Sequence, residues 1–261
     1  MQRVKPEVYL ISYPQIDENE VKRWLKDIGG EKVLEHLSGT DAEKVIELAG
    51  RECYRSFDVG LNPNVTKIRD NSEEYIGNLI QSEHGAVLEH AQCVWVFENI
   101  SRVMTHELVR HRVGVGYSQV SLRYVRLNEL KFWLPPEIEN NPEAVELFEK
   151  IIKDLEQAQN KLAEIYGIDD ESFKTKKKLT SAFRRIAPIG LATGIVFSCN
   201  MRALRWIIQL RTGVASEVEI RQVFNKVYDI ASQKWPYLFQ DFVKIDTGDG
   251  LFECKPKHSK V

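Results

Sequence analysis

The chain has 261 residues, of which 43% are hydrophobic and 28% charged, and its formal net charge is −2. Those values suit a globular protein with a core of its own. They leave no overall basic footprint for nucleic acid, so any anion site must be local. Apolar runs stay far below the roughly 20 residues that span a bilayer, and "MQRVKPEVYLISYP" lacks a cleavable apolar leader. A cytoplasmic protein without nucleic-acid or membrane partners is expected. Cys53, Cys93, Cys199 and Cys254 form no CxxC pair and have no zinc-type spacing. They are expected to be buried, reduced thiols, with no metal site and no cysteine nucleophile.

In chain order, "VYLIS" (8–12) reads as a short buried strand. Residues 17–28 and 41–55 read as helices, and 70–85 as a helix with an Asp/Asn cap and a Gly stop. "AQCVWVFEN" (91–99) is β-branched and aromatic, hence a strand. Residues 101–112 form a Ser-capped helix, and "KFWLPP" (131–136) a strand stopped by two prolines. A long amphipathic helix covers 142–166, and another runs from about 172 to 187. A strand follows at 193–199, then a helix from Arg202 to Leu210. Residues 216–243 are mostly helical, with a tail from about 246. No regular βαβ alternation is present, so the fold class is α+β. One domain over 1–261 is expected, with a small mixed sheet flanked by long helices.

The most unusual stretch is "RHRVGVGYSQVSLRY" (110–124). From Ser101 to Arg126 the cations are Arg102, Arg110, Arg112, Arg123 and Arg126, with His106 and His111, and the only acid is Glu107. Arginine binds phosphate or carboxylate through a planar fork and stays charged when desolvated. An arginine cluster without lysine points to phosphates in a partly buried site. On a helix Arg102, His106 and Arg110 share one face, and Met104 and Leu108 the core face. Arg112 lies about 200° from Arg110. If the helix persists, the two arginines cannot serve the same side. The "GVG" suits a helix exit, after which Ser118, Ser121 and free backbone N–H groups would complete an anion cradle with Arg123. "HELVR" (106–110) lacks the second histidine of a zinc HExxH, and "GVGYSQ" lacks the third glycine of a dinucleotide loop.

The segment resembles the signature of the flavin-dependent thymidylate synthases. It has Arg110-His111-Arg112, eight residues, then Ser121-Leu122-Arg123-Tyr124. Three more blocks are similar to that family in order and kind: "HGAVLEH" (84–90), "RRIAP" (184–188), and "NMRALRWIIQLR" (200–211) followed by "EIR" (219–221). The resemblance covers roughly residues 50–235. It implies that family's fold and a homotetramer whose active sites draw on several subunits. It implies FAD held by Glu89, Arg110, His111, Arg112, Asn200 and Arg202. It implies a nucleotide held by Glu107, Arg110, Gln119, Ser121, Arg123, Arg184 and Arg211, with Arg211 polarising the uracil. The activity implied is C5 methylation of dUMP to dTMP, with methylenetetrahydrofolate as carbon donor and NADPH as reductant.

Five positions depart from the family pattern: Ala86, Glu107, Gln119, Trp206 and Ala215. Trp206 is expected to be core rather than a ligand stack. These departures keep a related pyrimidine nucleotide such as UMP, or a non-catalytic flavin- or nucleotide-binding homologue, as alternatives.

Overall fold

The computed structural model describes residues 1–260. Its strands are β1 (Gln2–Arg3), β2 (Glu7–Ser12), β3 (Gln92–Ser101), β4 (Val115–Gln119), β5 (Lys131–Phe132), β6 (Ala192–Asn200), β7 (Phe242–Asp246) and β8 (Phe252–Pro256). The α-helices are α1 (Glu18–Asp27), α2 (Asp41–Tyr54), α3 (Ser72–Gln81), α4 (Arg102–Leu108), α5 (Pro136–Glu139), α6 (Pro142–Ile165), α7 (Phe173–Phe183), α8 (Met201–Arg211) and α9 (Val218–Lys234). Among the described residues no helix is long and apolar enough to cross a membrane.

The central sheet is antiparallel throughout, in the order β2-β3-β6-β4, while β1 and β5 form a short parallel pair of their own. Period-2 alternation sends Cys93, Trp95 and Phe97 of β3 and Ile195, Phe197 and Cys199 of β6 to one face. There they bury completely against apolar residues of α2, α3, α8 and α9. The opposite face carries the cross-strand row Tyr9, Val96, Val196 and Ser118. Tyr9 and Val196 on that row are exposed. An antiparallel sheet tolerates one open face, and on this one Tyr9, Val96 and Val196 form an apolar strip among polar residues such as Glu7, Glu98 and Ser118.

Several boundaries differ from the sequence reading. β2 is an edge strand with Tyr9 and Ile11 exposed, not a buried one. The helix expected over 70–85 ends at Gln81, because the chain turns left-handed at Glu83 and continues as a 3-10 turn over Gly85–His90. The strand expected to reach 136 keeps only Lys131–Phe132, since Pro135 and Pro136 cap and begin α5. The helix expected through 243 stops before Pro236. The "GVG" stretch leads into edge strand β4 rather than a cradle loop, so backbone groups expected to face an anion pair with β6 instead.

Residues after 246 are not a tail. β7 and β8 form a hairpin that packs on α8 and α9, and Cys254 within it is fully buried. Cys254 N donates to Thr212 Oγ1 (2.9 Å), and Asp249 pairs with Arg221. Cys53, expected to be buried, is exposed on α2, and the other three cysteines are buried.

Candidate active site

α4 begins where β3 ends. Ser101 caps it by accepting from Met104 N (3.1 Å), and Glu219 of α9 receives both Ser101 N (2.6 Å) and the Ser101 hydroxyl. Burial pushes the Glu219 carboxyl up to about 7, against the lowering effect of the Ser101 hydrogen bonds. Met104 and Leu108 are fully buried, while His106 and Arg110 are exposed, as the helical face requires. α4 stops at Leu108, and tighter turns carry the chain through Arg110 and His111. Arg112 therefore lies outside the helix and escapes its 200° rotation.

α8 runs alongside this segment. Asn200 caps it through Ala203 N (2.8 Å), and Asn200 N donates to Gly114 O (3.0 Å). Gly114 has φ +68, and a Cβ there would lie 2.3 Å from Asn200 Nδ2. The glycine thus permits both the turn and the approach of the capping amide. At the far end of α8, Arg211 donates from Nε to His111 Nε2 (2.9 Å), from Nη1 to Glu107 Oε2 (2.7 Å) and from Nη2 to the Glu107 carbonyl (2.9 Å). Accepting at Nε2 requires neutral His111, whose pKa is held down to about 4 by burial and then by Arg211. Tyr117 Oη lies 2.9 Å from Leu108 O and 3.0 Å from His111 O, where its one proton ties β4 to the end of α4. Burial raises its phenol to about 12, so it stays a donor.

Between α8 and residues 110–113 opens a cleft of about 330 Å³. All six residues expected at the flavin, Glu89, Arg110, His111, Arg112, Asn200 and Arg202, line it. Its other walls are Val113, Ala203, Trp206 and Ile207, of which sequence reasoning singled out only Trp206, as core in preference to a ligand stack. Trp206 is 49% exposed, which overturns its expected place in the core. The signal was available: on α8 the core stripe holds Leu204, Ile207 and Ile208, and residue 206 falls about 200° from Leu204. Glu89 accepts from Arg202 Nη1 (2.6 Å), and a Cβ on Gly85 would lie 2.8 Å from Arg202 Nε. Arg110 and Arg112 have no acidic partner among the described residues. Ala86 is exposed on the 3-10 turn and Ala215 lies beyond α8, and neither lines the cleft.

The remaining expected nucleotide residues sit toward the other end of α4. Gln119 donates to Thr105 Oγ1 (3.1 Å), and Ser121 Oγ accepts from Arg123 N (3.3 Å) in the turn after β4. Arg184 stands in the 3-10 turn that ends α7, and its charge acts on Arg102. Within one chain, then, Glu107, His111 and Arg211 gather at the C-terminus of α4, while Gln119, Ser121, Arg123 and Arg184 do not join them.

A model of the thymidylate synthase complementing protein family matches residues 32–237, a stretch that contains every one of these residues. The chain belongs to that family. Similar proteins named flavin-dependent thymidylate synthase include one from Corynebacterium diphtheriae, 34% identical over 82% of this chain and 84% of its own length. Another, from Corynebacterium glutamicum, is 31% identical over 95% of this chain and 94% of its own. A third, from Mycobacteroides abscessus, is 33% identical over 81% and 85%. The thymidylate synthase complementing family match ends short of the β7–β8 hairpin, so that brace behind α8 lies outside the matched stretch.

Proposed function

We propose that this chain is a flavin-dependent thymidylate synthase, converting dUMP to dTMP with methylenetetrahydrofolate as carbon donor and NADPH as reductant. The observation that carries the reading is the convergence of two sets that meet at His111. Six residues of the family blocks line one cleft, and Arg211 lies beside it at the end of α8, the helix that forms one of its walls.

The cleft fits a flavin nucleotide chemically. One side offers Arg110 and Arg112 without acidic partners, suited to phosphates. The other offers Val113, Ala203, Trp206 and Ile207, suited to a flat aromatic ring. When bound there, FAD would supply the hydride that completes the methyl group. The chain's own groups bind, orient and polarise. Arg110 and Arg112 would hold phosphate, Asn200 and Arg202 the polar edges of the cofactor, and Glu89 would fix Arg202. Arg211, oriented by Glu107 and His111, would stabilise negative charge growing on the uracil, so that C5 becomes nucleophilic toward the one-carbon unit. Ser121, Arg123 and Arg184 would take the nucleotide phosphate, with Gln119 nearby.

A homotetramer with shared active sites is part of the proposal. A cleft of about 330 Å³ is at the small end of ligand pockets, and FAD is a large dinucleotide, so a second copy would supply further walls. The partly exposed strip of Tyr9, Val96 and Val196 on the central sheet offers a surface for such association. The test is tritium release from C5-labelled dUMP and, separately, UMP, with FAD, NADPH and methylenetetrahydrofolate present. Release from dUMP supports the reading. Release from UMP alone moves the substrate to a ribonucleotide, and release from neither with flavin bound leaves a binding protein.

A further inference from the structure

Cys93 and Cys199 take no part in the cleft or in the chemistry proposed for it. They stand directly opposite each other in the central sheet, Cys93 on β3 and Cys199 on β6. Both belong to its core face, and their exposures are 0% and 1%. Their sulfurs lie 3.6 Å apart. Cys93 Sγ also lies 3.6 Å from Cys199 O, and Trp95 Nε1 donates to Cys93 Sγ (3.1 Å). The other two cysteines sit elsewhere: Cys53 is exposed on α2, and Cys254 is buried in the β7–β8 hairpin.

Packing alone asks for small apolar groups here, and a thiol serves as one. Two thiols facing each other across a ladder can do more. Opposite residues of an antiparallel pair have Cα atoms about 4.5–5.5 Å apart, inside the roughly 4.4–6.8 Å that a disulfide spans. Both side chains leave the same face, so the sulfurs need only close from 3.6 Å to about 2.0 Å. Rotation about the Cα–Cβ bonds is the motion that closes this gap. The Trp95 hydrogen bond stays available, because sulfur remains an acceptor after oxidation.

We infer that Cys93 and Cys199 form a latent disulfide site, which a hydroperoxide closes into a covalent staple between β3 and β6. One thiolate attacks a peroxide oxygen: an S–O bond forms, the O–O bond breaks, and water or an alcohol leaves. The facing sulfur then attacks the sulfenic sulfur: the S–S bond forms, the S–O bond breaks, and water leaves. The two thiols give up two electrons and two protons in all, and the hydroperoxide takes up both. Burial, and then Cys93, push the Cys199 thiol up, so thiolate is scarce and the pair reacts more slowly than exposed Cys53. The same burial shields the closed bond from reductants. The staple joins residues 106 apart in the chain, and β6 runs from it directly into Asn200, the cap of α8. Closing so long a loop removes conformations from the unfolded chain. The inference is independent of the flavin and nucleotide readings.

The experiment uses the full chain with Cys53→Ser, which removes the exposed thiol and leaves three of the four cysteines. The folded protein is treated with hydrogen peroxide, quenched, unfolded in urea and titrated for thiols. Titratable thiols are expected to fall from three to one. Peptide mapping should give a single linked pair, Cys93 to Cys199, two hydrogens lighter than the reduced peptides. The treated chain is expected to unfold roughly 5–15 °C above the reduced chain, with dithiothreitol reversing the shift only after unfolding. Cys199→Ala in the same background should keep its remaining thiols titratable and show no shift. Three titratable thiols, after a peroxide dose that fully oxidises Cys53 in the parent chain, overturn the inference. So does sulfinic acid at Cys93 or Cys199 without a link, a link through Cys254, or a link that leaves the unfolding midpoint unchanged or lower. If Cys199→Ala does not fold, the peptide map of the Cys53→Ser chain decides alone.

Discussion

Arg205 and Arg112 are the same amino acid put to opposite uses. Arg205 is fully buried, bonded by both Nη atoms to Asp241, and sits 4.8 Å from the Phe242 ring centroid. Arg51 repeats the pattern with Glu47 and the Tyr75 ring. Arg112 lies exposed on the cleft with no ion-pair partner among the described residues. A buried charge without a partner is too costly to keep, so the fold completes Arg51 and Arg205 internally. Arg110, Arg112 and Arg123 have no acidic partner among the described residues, which suits their proposed ligand role. Partnership separates Arg51 and Arg205 from the proposed ligand cations Arg110, Arg112 and Arg123, whereas Arg202 and Arg211 have acids of their own.

The contrast breaks most visibly at Arg205. Arg205→Met strands Asp241 beneath the core, and a loss of about 3–5 kcal/mol is expected, read as a shift of the urea midpoint. Arg211 should behave in the reverse way. Arg211→Ala is expected to cost about 10²–10³-fold in turnover, the scale of one lost charge-stabilising donor. Flavin colour should persist, and retained turnover would refute its role.

A third test uses pH. Glu219 has a folded pKa near 7 against 4.5 for a freely exposed glutamate, so the folded state holds its proton more tightly. Stability from this group is present below pH 4.5 and falls as pH rises toward 7, by up to about 3 kcal/mol. His111 acts with opposite sign. Its folded pKa near 4 lies below 6.5, so its contribution is lost as pH falls through that window. Glu219→Gln should remove the first slope and expose the second. Identical stability–pH curves for the variant and the parent would contradict the burial of Glu219.

The smallest effects on folding belong to the cleft. Arg112→Ala should leave stability within about 0.5 kcal/mol while weakening flavin roughly tenfold or more. Trp206→Ala should weaken flavin by about 1 kcal/mol, measured by titration, and wild-type tryptophan fluorescence should be quenched on binding.

How much of this was legible in advance varies by element. Helices with a clear 3.6 period and a polar cap, such as α1, α2, α6 and α8, fell within a residue or two of expectation. So did the aromatic strand β3, because burial on one face writes itself into the residue order. The hairpin β7–β8 was hidden, since "FVKID" is mostly exposed, "FECKP" is mostly half-buried, and together they hold few core side chains. β4 was hidden because its glycines read as a loop, whereas Gly116 sits in the ladder opposite Ser198. In the site, the signature named the polar groups of the cleft but not its apolar wall. Val113, Ala203 and Ile207 are unremarkable in sequence and gain meaning only from where α8 runs. The Arg211–Glu107–His111 contact spans about a hundred residues of chain and no local spacing foretells it.

The β7–β8 hairpin has one further consequence. Thr212, next to Arg211, donates through Oγ1 to Ile208 O and accepts from Cys254 N in the hairpin. The C-terminal end of the chain is thereby a splint on the helix that presents Arg211. A protease cut at the exposed tip over residues 248–250, or a truncated expression product, would loosen that splint. Activity would fall without the loss of any group that meets a ligand, and a mass measurement of the intact chain would be needed to tell such damage from a defective site.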